Sequence, residues 1–124
     1  MRFDLSYDSF TNNREAIKKR EEDDKKKLAL RYERAWEVIR KAASILKDTY
    51  CATRVMVFGS LVHGYWFSPT SDIDLAAWGL SDEDYFLVVA RLQDISPEFK
   101  IDLIQVENCK PGLLDVILRE GKQV

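Results

Sequence analysis

Long apolar runs are absent. No stretch approaches the roughly 20 residues that a bilayer crossing requires, and Met1-Arg2-Phe3-Asp4 lacks the apolar segment of a secretory signal. Cysteine is scarce: Cys51 and Cys109 are the only two, without metal-ligand spacing, and read as free thiols of a reducing cytoplasm rather than as a disulfide. His63 is the single histidine, which excludes a histidine metal site. Neither sign of charge is in excess. The 19 Lys and Arg nearly balance the 21 Asp and Glu, so the basic face of a general nucleic-acid clamp is not expected. No internal repeat is found. What remains is 124 residues, the length of one domain with a real core.

The first part of the chain reads as a short alternating segment followed by helix. Residues 2–8 alternate Phe3, Leu5 and Tyr7 with polar neighbours, which suits a short edge strand or a frayed end. Thr11, Asn12 and Asn13 offer helix caps. Lys18–Lys27 then places opposite charges at i and i+4, as on a solvated helix, with nothing apolar between Ile17 and Leu28. From Leu28 the pattern changes. Leu28, Tyr32, Ala35, Ile39, Ala42 and Leu46 form one stripe, widened by Trp36, Ala43 and Tyr50, which predicts a core helix. The expected division is an N-terminal extension, residues 1–27, and a domain, residues 28–124.

Val55–Phe58 predicts a buried strand, and Gly59-Ser60 a tight turn into a short helix. Gly59 admits close backbone approach, and amides at a helix start favour anions. An ordinary helix cap would use the same residues. Leu61, Val62, His63 and Gly64 follow, with His63 placed to touch a phosphate or to cap a turn. Tyr65, Trp66 and Phe67 could stack on a base or present a partner surface, with anchoring of the loop to the core as the first expectation.

Asp72-Ile73-Asp74-Leu75 carries the sharpest signal. Residues two apart on a strand share a face, so Ile73, Leu75 and Ala77 turn inward and Asp72 and Asp74 stand together opposite. Two adjacent carboxylates repel unless a proton or cation intervenes, and a hard ion such as Mg²⁺ suits their oxygens. Ser81–Asp84 predicts the cap of a helix running to about residue 95, with Phe86, Leu87, Val89, Ala90 and Leu92 as its buried stripe. Lys100–Val106 is an apolar strand with one acid, Asp102, costly there unless paired or metal-bound. Pro111-Gly112 opens a last helix that Gly121 ends, with Asp115 and Glu120 as surface charges.

Gly59-Ser60, an 11-residue loop and Asp72-x-Asp74 together resemble the DNA polymerase β-like nucleotidyltransferase superfamily. More narrowly, the chain is similar to minimal nucleotidyltransferases, the MNT partners of HEPN toxins, over roughly residues 28–121. The resemblance implies an α/β fold: a small mixed twisted sheet with flanking helices, a polymerase β-like palm preceded by a long N-terminal helix. It implies that Gly59 and Ser60 hold triphosphate, and that Asp102 joins Asp72 and Asp74 around two Mg²⁺ ions. The implied activity is AMP transfer from ATP to a tyrosine of a HEPN toxin, making the chain an antitoxin. Relatives often carry an Arg between the Ser and the second Gly, where His63 stands here. That departure keeps a second reading open, an antitoxin that only binds its toxin. A third, an aminoglycoside-type enzyme, would need a further helical domain or a homo-oligomer.

Overall fold

The structure is a computed structural model that describes the backbone of residues 2–124 and the side chains from residue 13 onward, Tyr65 excepted. The chain divides into two compact units, Met1–Arg31 and Tyr32–Val124. Helix α1 runs Arg2–Asp48. The strand pattern of residues 2–8 is therefore overturned, and Thr11–Asn13 lies within the helix rather than at its start. A helix satisfies its own backbone, whereas a strand needs a neighbour. No Gly or Pro occurs before Gly59 to break the run. In the first unit, residues 13–27 are exposed throughout, as a solvated charged helix should be.

In the second unit, α1 buries Ala35, Ile39, Ala42 and Leu46, and also Val38 and Ala43. Tyr50 lies beyond the helix end, which closes with the Ala52 N–H on the Leu46 carbonyl at 2.9 Å. Cys51, at φ 61°, takes the left-handed position that glycine usually fills.

Four strands follow: β1 Arg54–Phe58, β2 Ile73–Trp78, β3 Ile101–Gln105 and β4 Lys122–Gln123, in the order β3-β2-β1-β4. β2 is antiparallel to β1 and parallel to β3, and the parallel pair is joined across helix α2, Tyr85–Gln93. β4 was not expected, since two polar residues carry no alternation. It pairs with β1, with Lys122 opposite Val57. Gly121 makes the step from helix α3, Pro111–Glu120, into β4. A Cβ there would fall 2.5 Å from the Ile117 carbonyl oxygen and 3.1 Å from that of Val57. Close backbone approach, rather than a left-handed φ, is why glycine ends this helix.

Alternation gives the sheet two faces. Val55, Val57, Ile73, Leu75, Ala77, Ile101 and Leu103 are buried on one. On the other, Met56 and Ala76 pack with Val106 and Ile117, flanked by Ile104, Leu113 and Leu114, so α3 covers that part of the sheet.

Helix α2 departs from its predicted stripe. Val88 and Leu92 are buried, whereas Phe86, Leu87 and Ala90 are exposed. The helix ends at Gln93 rather than near residue 95. Its phase is set by the edge of β3. The Tyr85 hydroxyl donates to the Leu103 carbonyl at 2.7 Å, and the Gln93 amide donates to Phe99 O at 2.7 Å and accepts from Ile101 N at 3.1 Å. These bonds occupy backbone groups that an edge strand would otherwise offer to another chain.

Candidate active site

The uncovered part of the second sheet face holds the acids. Phe58, Asp74 and Asp102 form one cross-strand row, because Phe58 pairs with Asp74 and Asp74 with Asp102. Asp72 stands just before β2, partly buried like the other two. Burial first, then the charges of Asp102 and of Asp72, hold the Asp74 carboxyl above the usual carboxylate range, against the pull of Lys100. Lys100 lies on the same side as Asp102, its Nζ 3.6 Å from Asp102 Oδ1.

Gly59 closes the other side of Asp74. Its φ is +80°, and a Cβ added to it would lie 2.5 Å from Asp74 Oδ2. The close neighbour that glycine admits is thus the second carboxylate of the Asp-x-Asp pair. Ser60 follows within a single 3₁₀ turn, Gly59–Leu61, held by the Val62 N–H on Gly59 O at 3.2 Å. The expected helix start is this one turn and no more.

An open cleft of about 480 Å³ lies on the Asp102 side, lined by Asp74, Asp102 and apolar groups including Phe58, Ile104, Tyr85 and Leu113. Gly59, Ser60 and Asp72 stand outside that lining. Asp74 therefore separates a glycine-serine side from an apolar side. Among the described residues, no three His, Cys, Asp or Glu are drawn close enough to form a ready metal cage. Lys100 offsets the repulsion only in part, and a divalent cation among the three carboxylates would draw them together. The donors nevertheless fit a hard divalent ion. They are all oxygens, and the central one bears the cost of burial and of two like charges.

His63 lies by the end of α3. Its Nε2 is 3.7 Å from Glu120 Oε2 at the end of α3, and its ring sits 4.9 Å from that of Trp66. In the same loop, Phe67 is buried and packs edge-on against Tyr32 at 5.3 Å, so it is the anchor, while Trp66 is exposed. The Tyr65 side chain lies outside the described residues.

Two neighbours of the site were missed from sequence. Lys100 was legible in principle, since Lys-x-Asp on a strand puts both on one face. Tyr85 was not, because its place depends on how α2 docks.

The wider comparisons agree with this architecture. The sequence profile described as polymerase beta nucleotidyltransferase matches residues 40–124. A search of curated proteins finds no match. Among solved structures, a toxin–antitoxin complex with AMP-PNP is similar at 23% identity and a TM-score of 0.57, over 70% of this chain and 69% of that one. A mutant of the MntA–HpeT toxin–antitoxin pair is similar at 22% identity and a TM-score of 0.58, over 68% and 69%. At such identities the likeness concerns the fold. The profile match, which spans more than half of the sequence, shows that the chain belongs to the polymerase β nucleotidyltransferase family.

Proposed function

We propose that the chain is an antitoxin that transfers AMP from ATP, with Mg²⁺, to a tyrosine hydroxyl on a HEPN toxin. The observation that carries this reading is the register of Asp74 with Asp102 across β2 and β3, with Gly59 against the Asp74 carboxylate. Fold likeness to toxin–antitoxin structures, one of them with AMP-PNP, supports the choice of partner and nucleotide.

In this reading, the Gly59-Ser60 turn positions the triphosphate. Asp72, Asp74 and Asp102 would hold Mg²⁺, which supplies Lewis acidity and neutralises phosphate charge when bound. Asp102, on the apolar side, orients the incoming hydroxyl and takes its proton. The hydroxyl oxygen bonds to the α-phosphorus, the bond to the bridging oxygen breaks, and pyrophosphate leaves.

Incubation with α-labelled ATP, Mg²⁺ and the HEPN protein tests the reading. Label should reach a toxin tyrosine and fall at least about 100-fold in Asp72→Asn. One alternative is kept by His63, which stands where relatives often carry an Arg and lies 3.7 Å from Glu120 Oε2. An antitoxin that acts by binding alone would neutralise the toxin in Asp72→Asn and transfer no label.

A further inference from the structure

The cleft has a wall that phosphate and metal chemistry leave unused. Tyr85 and Val89, one turn apart on α2, form it and line the same cleft as Asp74 and Asp102. The Tyr85 ring is fixed, since its hydroxyl donates to Leu103 O at 2.7 Å. The ring of Phe86 packs edge-on against it, with centroids 5.5 Å apart, yet Phe86 is 81% exposed. Leu87 is 62% exposed, and Ala90, one turn beyond Phe86, is exposed too. A short helix thus presents a fixed aromatic to the cleft and, in contact with it, an apolar ledge to water.

We propose that this ledge docks the polypeptide acceptor. A large apolar side chain beside the acceptor residue covers Phe86 and Leu87, while the hydroxyl enters the cleft next to Asp102. The proposal rests on the transfer reading above and adds where the acceptor is recognised. Continuity argues for it, because an occupant of the ledge touches Phe86, which touches Tyr85, which lines the cleft. Charge narrows the occupant. Asp82, Glu83 and Asp84 lie at the N-terminal end of α2, and Asp74 and Asp102 lie in the cleft with Lys100 as a cationic neighbour, so acids outnumber it and a carboxylate beside the acceptor residue is repelled. The ledge fits an apolar segment without acids. A small polyol would leave it uncovered.

Two peptides test this with the full chain: acetyl-Leu-Tyr-Leu-amide and acetyl-Gly-Tyr-Gly-amide, with labelled ATP and Mg²⁺. The leucine peptide should show a KM at least about tenfold lower, the size of one good apolar contact. In Phe86→Ser and Leu87→Ser the ratio of the two KM values should fall to about one. Both residues are exposed, so the variants should keep the parent's melting curve. Equal KM values for the two peptides in the parent, or a ratio that survives both substitutions, would overturn the ledge while leaving transfer intact. Anisotropy of a fluorescein-labelled leucine peptide without nucleotide measures docking apart from chemistry. Binding that weakens in Phe86→Ser, with no label transferred by any form, would keep the ledge and remove the transfer reading. Binding indifferent to Phe86 would remove the ledge.

Discussion

Two adjacent rows on one sheet face have opposite fates. Met56, Ala76 and Ile104 lie side by side on β1, β2 and β3 beneath α3 and form part of a core. Phe58, Asp74 and Asp102 lie one row along the same strands, and there an open cleft takes the place of close packing. The strands treat both rows alike, since alternation puts every second residue on this face. The difference lies in what the next layer covers. Ile117 and Leu114 pack over Met56 and Ala76, with Ile104 and Leu113 at the margin where the cleft begins, and the acids keep the other row from being sealed, because buried like charges would need a partner. A core and a site are thus built from one ladder, a residue pair apart.

The contrast is broken most severely from the covered side. Ile117→Ala removes a fully buried side chain from the α3 core and should cost about 2–5 kcal/mol in denaturant unfolding. A loss below about 1 kcal/mol would mean that α3 does not seal the row. On the open side, Asp74→Asn should cut label transfer at least about 100-fold with the fold retained. Unchanged transfer would remove Asp74 from the chemistry. Gly59→Ala probes the boundary. The left-handed φ alone should cost about 1–2 kcal/mol, and the new methyl must also displace the Asp74 carboxylate. Transfer should therefore fall by more than the stability loss explains, and a drop in stability with full transfer would contradict the close approach.

The smallest effect sharpens the comparison through pH. With divalent ions chelated, folded Asp74 holds its proton more tightly than the unfolded chain does. Stability therefore falls as pH rises through the unfolded carboxylate range and into the raised folded one. Asp74→Asn removes that loss, so it should melt above the parent at neutral pH and at the same temperature in acid, below both values. Added Mg²⁺ should raise the melting point of the parent more than that of the variant. Equal melting at neutral pH would show that ionising the half-buried Asp74 carries no cost.

Sequence alone determined what strand alternation and turn chemistry encode locally. Val55–Phe58, the Gly59-Ser60 turn, the Asp72-x-Asp74 pair and the lone acid of Lys100–Val106 were all legible, because a two-residue period and a run of apolar neighbours need no distant partner to be read. The α1 stripe was legible for the same reason, with a 3.6-residue period. What only the tertiary structure decided is where patterns are short or ambiguous. Helix α2 is apolar around much of its nine residues, so its phase came from Tyr85 and Gln93 bonding to the β3 edge, which turned Phe86 and Leu87 outward. β4 is two polar residues made into a strand by pairing with β1. The alternation at residues 2–8 yielded to helix, and among the described residues no strand pairs with it. The closeness of Gly59 to Asp74, 15 positions apart in the chain, exists only because β1 and β2 pair. Local periodicity is written residue by residue, but phase, edge pairing and convergence of side chains are settled by whichever surface the element finally meets.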